Sequence, residues 1–381
     1  MKEELVKYIR KIYKTPEDFI PLHEPRFVGN EKKYLADAID STFVSSVGMY
    51  VDRFEEMMCE ITGAKYTIAI VNGTNALHLS LVLAGVEKGD EVLTQSLTFI
   101  ATANAISYCN ATPHFVDVDR DTLGLSPSLL REYLSEIAEI RDGSCYNNQT
   151  GKRIAACVPM HTFGLPVRID ELKELCDEYH ISLIEDAAES IGASYKGQQT
   201  GTFSLFGVFS FNGNKTVTAG GGGAIVTDDE KLAKKAKHLS TQAKVEHAWE
   251  YQHDHIGYNY RMPNLNAALA CAQLENLNQF IKNKQELSDM YQSFFEDYTN
   301  IKLKRVIGSG TSNYWLNAIE LEDRESRDEF LEYTNTKGVM TRPIWSLMNK
   351  LEMFKDCPKS DLSNALYLED RIVNLPSSVR I

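Results

Sequence analysis

The sequence predicts an α/β protein with a large, mostly parallel sheet and a smaller α+β domain at the C-terminal end. Between about residues 60 and 227, short β-branched or apolar runs alternate with longer amphipathic stretches, which is the pattern of βαβ units. The pattern then becomes helical, and a short mixed region begins near residue 301. We expect an N-terminal helix and the large domain in residues 1–270, and a long linking helix and the small domain in residues 271–381.

Each element is predicted from its local pattern. The first residues carry apolar side chains at helical spacing with charges between them, which indicates a surface helix and not a signal peptide. Strands are predicted at residues 66–71, 91–94, 114–118, 154–159, 181–184, 206–211 and 224–227. Helices are predicted at residues 76–84, 101–108, 127–140, 169–179 and 229–239, and one long helix at residues 265–295. The small domain is expected to contain a strand at residues 313–321, a helix at 324–337 and an extended segment at 339–343.

Composition narrows the class of protein. A formal net charge of −13 without a long Lys/Arg run disfavours nucleic acid or an anionic membrane as the main partner, because both need a basic face. No apolar run approaches the roughly 18 residues of a membrane span. The seven cysteines contain no C-x-x-C and indicate neither a disulfide framework nor a zinc knuckle. We therefore expect a soluble cytoplasmic protein with reduced thiols.

A turn that resembles a phosphate site follows the first strand. The residues Asn72-Gly73-Thr74-Asn75 combine a glycine turn, a hydroxyl and a helix start. Such a helix start presents backbone N–H groups and the positive end of a helix dipole to an anion. The alternative for this motif alone is an ordinary N-capped helix after a tight turn.

Two charged residues follow later strands. Asp186, after the strand at 181–184, is placed to pair with a cationic ring nitrogen, although it alternatively caps the next helix. Lys215 follows the strand at 206–211 and precedes four glycines, so a flat cofactor has room against the backbone. Lowering the pKa of that amine by burial and nearby cationic charge would suit it to imine chemistry, whereas the alternative is a solvated loop lysine.

Ser210 and Phe99 complete the set. Ser210 lies five residues before Lys215, and Phe99 follows the second strand, where it is either a ring platform or a core aromatic. A phosphate cradle, a ring platform, an acid, a hydroxyl and a lysine, all at the carboxyl ends of strands, are what pyridoxal phosphate requires. Together they predict a site for this cofactor.

Several motifs occur in the order of a known family. They are V-N-G-T-N-A-L, L-T-F-I-A-T-A-N-A-I, E-D-A-A-E-S, F-S-F-N-G-N-K and G-Y-N-Y-R-M-P-N-L-N-A-A-L. From about residue 20 onward the chain resembles the DegT/DnrJ/StrS family of pyridoxal-phosphate-dependent nucleotide-sugar aminotransferases, which have fold type I. The segments P-L-H-E-P-R-F-V-G-N-E-K and F-V-S-S-V-G-M-Y-V-D resemble the branch that aminates 4-keto-6-deoxy sugars on the way to legionaminic-type acids.

The resemblance implies roles for the cofactor-binding residues. Lys215 would carry the cofactor covalently and shuttle a proton, and Asp186 would keep the pyridine nitrogen protonated. The hydroxyls of Thr74 and Ser210 and the amides of residues 73–75 would hold the phosphate, with Phe99 stacked on the ring. Asn259 would reach the cofactor of a neighbouring subunit, which implies a homodimer with composite sites. Glu189 departs from the glutamine or histidine that many relatives place near the phenolic oxygen.

The resemblance also implies a reaction. L-glutamate would give its amino group to the cofactor, whose pyridoxamine form would then aminate a nucleotide-linked keto sugar. Relatives that dehydrate instead carry histidine in place of Lys215, so the lysine favours transamination. Substrate-contact candidates lie in family-like segments or after strands, although the arginines and the histidine are alternatively structural: Arg26, Ser46, His161, Arg261, Tyr314, Arg342 and Trp345.

Other functions are weaker predictions. A GDP-perosamine-type synthase is the main rival, and a non-catalytic regulator with the same fold is a further alternative. His247, His253 and His255 have a spacing that could ligate zinc, but without H-E-x-x-H we expect no metal site. A P-loop is excluded because the glycine run is not followed by Lys and Ser or Thr.

Overall fold

The computed structural model describes residues 1–380, and twelve α-helices lie within them. They are α1 (Lys2–Ile12), α2 (Glu31–Asp40), α3 (Met49–Thr62), α4 (Gly73–Leu83), α5 (Ile100–Tyr108), α6 (Pro127–Ile137), α7 (Ile169–Glu178), α8 (Glu230–Ser240), α9 (Asn264–Leu274), α10 (Leu277–Phe295), α11 (Arg324–Thr336) and α12 (Ser363–Glu369). Short 3₁₀ turns occupy Thr162–Gly164, Met348–Lys350 and Glu352–Phe354. None of these helices is long and apolar enough to cross a lipid bilayer.

The predicted α/β fold is confirmed by a central sheet that contains all seven predicted strands. They are β1 (Tyr66–Ile70), β2 (Glu91–Gln95), β3 (Thr112–Val116), β4 (Ile154–Val158), β5 (Ser182–Asp186), β6 (Phe206–Ser210) and β7 (Gly223–Thr227). Across the sheet the order is β1-β7-β6-β5-β4-β2-β3. Only β7 runs antiparallel to its neighbours, so the other six strands end at the same edge.

The sheet is buried on both faces, which explains why its strands are continuously apolar. In β6, Phe206 and Val208 pack into a cluster with helices α4, α5 and α8, whereas Phe209 packs into the cluster of α3 and α9 on the other face. In β7, Ile225 packs into the first of these clusters, and its neighbour Ala224 packs into the second, on the other face. This two-sided burial fixes the register of the strands and therefore the positions of the side chains at their ends.

A second, antiparallel sheet forms the core of the small domain. Its strands are β8 (Lys302–Leu303), β9 (Asn317–Glu320), β10 (Arg342–Pro343) and β11 (Ile372–Leu375), in the order β8-β9-β11-β10. Helix α1 packs on this domain through Leu5 and Ile9, which share a cluster with side chains of α10, α11 and β11. The sequence prediction grouped this helix with residues 1–270, but its contacts are with C-terminal elements.

Short strands also pair outside the two main sheets. They are Ala138–Arg141 with Ser144–Asn147, Lys244–Val245 with Gln252–His253, and Ser194–Tyr195 with both Gln198–Gln199 and Gly310–Thr311. The first pair differs from the prediction, which continued helix α6 to residue 140. The reason is the turn at Asp142 and Gly143, where both residues have positive φ, the conformation that closes a two-residue hairpin.

The long helix predicted at residues 265–295 is in fact two helices, α9 and α10. The helix is interrupted at Glu275 and Asn276, between Leu274, the last residue of α9, and Leu277, the first residue of α10. The carboxylate of Glu275 accepts hydrogen bonds from Tyr34 at 2.6 Å and Arg53 at 2.5 Å. These tertiary contacts stabilise the interruption between the two helices. The apolar residues keep helical periodicity on both sides of it, so the sequence pattern did not reveal it.

Candidate active site

A cavity of about 320 Å³ lies at the edge where the six parallel strands end. This is the edge at which ligands bind in open α/β sheets. Seven of the predicted cofactor-binding residues line the cavity: Gly73, Thr74, Phe99, Asp186, Glu189, Ser210 and Lys215. Of the predicted substrate-contact residues, Trp345 lines it as well.

The start of helix α4 forms one wall of the cavity. Asn72 is the N-cap, and its side-chain oxygen accepts the backbone N–H of Asn75 at 2.8 Å. The Asn75 amide, which the sequence analysis assigned to a phosphate, is therefore occupied by the cap. The N–H groups of Gly73 and Thr74 point out of the first turn, where a helix has no internal acceptors for them. A Cβ on Gly73 would approach the Ser210 side chain to 3.0 Å, so glycine lets the helix start lie against Ser210.

Asp186 lies at the end of β5 and is 3% exposed. One carboxylate oxygen accepts the Thr102 hydroxyl at 2.7 Å, and the other accepts the Ala188 N–H at 3.2 Å. Burial raises the pKa of Asp186, and the Thr102 hydrogen bond opposes that shift. In the part of the chain that the structure describes, Asp186 forms no ion pair. It is a buried acceptor without a cation.

The amine of Lys215 faces Glu189, which follows Asp186 by three residues in the motif E-D-A-A-E-S. Its Nζ lies 3.2 Å from Oε1 of Glu189 and 3.9 Å from the ring centroid of Trp315. The indole N–H of Trp315 donates to the carbonyl of Asn214 at 2.7 Å. Trp315 therefore supports both the amine, through a cation–π contact, and the backbone of the loop that carries it.

Two aromatic rings mark the open side of the cavity. Phe99, the N-cap of α5, is 47% exposed, and its ring lies 6.2 Å from that of Trp345. Trp345 in turn packs at 5.0 Å on the buried ring of Phe163. The planes of Phe99 and Trp345 are tilted by 58°, so the two rings offer separate aromatic faces at the cavity, on which a ring or a nucleotide base can stack.

The donors and acceptors of the cavity fit pyridoxal phosphate. The first-turn amides of α4 and the hydroxyls of Thr74 and Ser210 are anion donors at one end. Asp186 offers a buried carboxylate that lacks a cation, which suits a protonated ring nitrogen. Lys215 reaches the same space. The absence of a Cβ at Gly73 keeps the phosphate end open.

Three predicted substrate-contact residues are held by protein partners outside the cavity. His161 is fully buried, with one ring nitrogen 3.0 Å from Glu185 and the other accepting the Val167 N–H at 3.2 Å. This corresponds to the structural alternative for that histidine. Arg261 is buried in an ion pair with Glu55, and it also donates to the Ala69 carbonyl at 3.3 Å. Arg26 pairs with Glu24 and donates to the Val379 carbonyl at 2.9 Å.

Four other predicted residues lie away from the cavity lining. Tyr314 is buried with positive φ, and its hydroxyl lies 3.5 Å from the Arg305 guanidinium. Arg342 is exposed on β10, and Ser46 lies half-buried in the loop between α2 and α3. Asn259 is exposed beside Thr241, to which it is bridged. The contact of Asn259 with a neighbouring subunit stays a prediction.

The sequence analysis missed several lining residues. Trp315, Asn72, Asn212, Asn214 and Met160 all face the cavity. Trp315 adjoins Tyr314, which was chosen because an aromatic residue in this region could flank a substrate. Tyr314 has a positive φ and lies outside the lining, whereas Trp315 lies within it.

The histidines considered for zinc do not come together as their spacing suggested. His247 accepts backbone N–H groups of its own turn, and His253 bonds to the Gln242 carbonyl at 2.8 Å. Instead, His255 and His238 both contact one carboxylate oxygen of Asp254, at 2.9 Å and 2.6 Å. These hydrogen bonds hold the pKa of Asp254 at about 2.

The fold and the site together define a pyridoxal-phosphate-dependent aminotransferase of fold type I. The sequence model of the DegT/DnrJ/EryC1/StrS aminotransferase family matches residues 25–381, and the chain belongs to this family. The cofactor is pyridoxal phosphate, which alternates with its pyridoxamine form in transamination.

Named relatives cover most of the chain. GDP-perosamine synthase of Escherichia coli O157:H7 is 36% identical over 338 residues, which are 89% of this chain and 88% of the relative. GDP-perosamine synthase of Vibrio cholerae is 35% identical over 363 residues, 94% of each chain. Among solved structures, DesI in the presence of its TDP-sugar product is similar, with a TM-score of 0.83, 27% identity, and coverage of 94% of this chain and 88% of that one.

Proposed function

We propose that this protein transfers the amino group of L-glutamate to the 4-keto group of a nucleotide-linked 4-keto-6-deoxy sugar. The observation that carries the proposal is the convergence of the Lys215 amine and the buried Asp186 carboxylate on one cavity that has anion donors at its end. Bound pyridoxal phosphate supplies an electron sink for the charge left when the amino donor loses its α-proton.

The residues of the cavity divide the work. Asp186 holds a proton on the ring nitrogen, because a buried carboxylate without another cation favours a positive charge beside it. The amides of Gly73 and Thr74 and the Ser210 hydroxyl bind the phosphate. Lys215 would hold the cofactor and, once free, would accept the α-proton of the donor at Nζ and pass it to the cofactor. In the second half-reaction the same amine would move a proton from the cofactor to the sugar carbon. Trp315 keeps Nζ in place for both transfers.

For the substrate we propose UDP-2-acetamido-2,6-dideoxy-hexos-4-ulose. The resemblance of residues 21–32 and 43–52 to the branch that makes legionaminic-type acids supports this choice. The aromatic surface of Phe99 and Trp345 at the cavity is available for the sugar or the base. The product is a 4-amino-4,6-dideoxy sugar for surface glycans.

A GDP-linked 4-keto-6-deoxy sugar is the second candidate. It is favoured by the names of the two relatives above, both GDP-perosamine synthases at 35% or greater identity. The two candidates differ in the nucleotide base and in the 2-acetamido group, so they are separable by substrate alone.

We further propose that the protein works in the cytoplasm as a homodimer with shared active sites. Several large apolar side chains are more than half exposed in two stretches of the chain, residues 27–49 and 249–256. They are Phe27, Phe43, Val47, Met49, Trp249, Tyr251 and Ile256. A second copy of the chain would cover them. Asn259 is exposed near three of these residues in sequence, as a contact to a partner's cofactor requires.

An absorbance experiment tests the reaction. The purified protein should show the band of lysine-bound cofactor, L-glutamate should convert it to the pyridoxamine form, and the UDP keto sugar should restore it. The Lys215→Ala variant is the control and should show neither change. Restoration only by the GDP sugar would favour the second candidate, and a protein that binds no cofactor would contradict the proposal.

A further inference from the structure

Glu189 and Lys215 form a pair that is shielded from water. The two side chains are 1% and 12% exposed, and Oε1 of Glu189 lies 3.2 Å from Nζ. The other carboxylate oxygen, Oε2, accepts the backbone N–H of Phe163 at 2.9 Å. One oxygen is therefore fixed by the backbone, and the other is left for the amine.

The position of Glu189 is held from both sides. The Asn313 side chain donates to the Glu189 carbonyl at 2.9 Å, so the backbone is anchored to the segment that carries Trp315. Phe163 belongs to the turn Thr162–Gly164 and has a φ of 57°, which aims its N–H at the carboxylate. These contacts give Oε1 a defined direction toward Nζ.

Four charged or titratable groups surround the Glu189–Lys215 pair or belong to it. One is the buried His23, whose pKa is lowered by burial and by the charges of Lys284 and Lys215. Lys215 comes from the loop after β6, Asp186 from the end of β5, and His161 from the adjoining turn, where it is bonded to Glu185. Burial raises the pKa of Glu189 to about 7, with Lys215 opposing the rise and Asp186 adding to it. Asp186 itself is bonded to Thr102 and Ala188, so Glu189 is the carboxylate placed to exchange a proton with the amine.

We propose that Glu189 is the proton acceptor that activates Lys215 for capture of the cofactor. An ammonium has no lone pair, so Nζ must lose a proton before it can attack an aldehyde. In this step an N–H bond of Nζ breaks, an O–H bond forms on Oε1, and the lone pair stays on Nζ. The amine then forms its bond to the aldehyde carbon and passes a second N–H proton to the aldehyde oxygen. The acid returns the first proton to the same oxygen, the C–O bond breaks, and the oxygen leaves as water. The inference rests on the proposed function.

This role has a defined pH dependence. Glu189 accepts a proton only as a carboxylate, so capture slows as the pH falls through about 7, the pKa of the buried carboxyl. Above that pH the pair shares one proton, and the fraction of molecules with a neutral amine and a protonated carboxyl is constant. The rate of capture should then be level. In a Glu189→Gln variant the amine loses its proton to water, and the rate should keep rising about tenfold per pH unit.

The test is the rate at which the cofactor-free protein acquires the band of lysine-bound pyridoxal phosphate, from about pH 5.5 to about pH 8.5. We expect the wild type to rise to a plateau with a break near pH 7. E189Q should be about 10²-fold slower than the wild type at pH 7 and should rise across the range without that break. A second readout is the infrared band of a protonated carboxyl in the cofactor-free protein. It should disappear between about pH 6 and pH 8 in the wild type and be absent from E189Q.

The matched control is Glu320→Gln. Glu320 is also buried and paired with a lysine, Lys304, but it lies in the small domain on β9. This variant should keep the wild-type profile. A break near pH 7 that survives in E189Q, or a wild-type profile without one, would overturn the role of Glu189. A wild type that never acquires the band at any pH would instead contradict the proposed function.

Discussion

At the scale of single residues, Asp186 shows how burial prepares a side chain for a ligand. Its carboxylate is 3% exposed and accepts hydrogen bonds from one hydroxyl and one amide, but it has no ion-pair partner among the described residues. A buried carboxylate is costly to ionise unless a positive group joins it. A protonated ring nitrogen provides that positive group. Its electrostatic attraction to the Asp186 carboxylate in turn favours the protonated form of the ring.

Replacing Asp186 by asparagine should therefore leave cofactor loading intact and slow the reaction. We expect kcat to fall by about 10²- to 10³-fold, because the amide cannot hold a positive ring nitrogen. Thr102→Val, which removes the hydroxyl donor to Asp186 at 2.7 Å, should cost about tenfold. Steady-state kinetics with glutamate would check both. A D186N enzyme within twofold of the wild type would show that Asp186 does not contact the ring nitrogen.

Residue types and spacing were enough to find Lys215, Asp186 and Ser210, since each follows a strand of a parallel sheet and strand ends converge. The same reasoning could not decide whether the His161 side chain lines the cavity or is buried in the protein below it. That difference depends on a partner, Glu185, that lies 24 positions away in sequence. Trp315 was missed because its place in the cavity depends on contacts with Asn214 and Lys215, which are about 100 positions away in sequence.

At the scale of elements, the local turn chemistry overruled helical periodicity at the end of α6. The residues Ala138–Arg141 have a helical pattern, but Asp142 and Gly143 close a hairpin that pairs them with Ser144–Asn147. An Asp-Gly pair is a strong hairpin signal, and it was available in the sequence. The break between α9 and α10 had no comparable signal, because it depends on contacts of Glu275 with α2 and α3.

The hairpin gives a prediction about stability. Gly143 has a φ of +75°, and a Cβ there would meet nothing within 4 Å, so Gly143→Ala adds backbone strain without a clash. We expect a loss of about 1 kcal/mol in the free energy of unfolding, measured by urea denaturation. Gly213→Ala is the control, because its φ is not positive and its nearest contact would be 3.9 Å. Equal stability of the two variants would argue against strain at Gly143.

At the scale of the whole molecule, the exposed apolar side chains predict the oligomeric state. Val47 is 70% exposed and Ile256 is 90% exposed, and both should be buried in a dimer. The Val47→Asp variant should therefore be monomeric and inactive, since a charge buried in an interface is costly. Light scattering after size-exclusion chromatography would check this, with Lys234→Asp on the exposed face of α8 as the control. A wild-type monomer with full activity would contradict the shared site.

The two ends of the chain meet in the small domain. Leu22 accepts a hydrogen bond from the Ser377 N–H at 2.7 Å, the Glu24 N–H donates to the Ser378 hydroxyl at 2.9 Å, and α1 packs beside β11. During synthesis the ribosome releases the first of these partners more than 350 residues before the last. The large domain can thus fold before the packing partners of α1 have been synthesised. Until then the apolar face of α1 stays exposed. The small domain can be completed only after β11 and residues 377–378 have been made, and a chain stalled before them would expose that helix to chaperones and proteases.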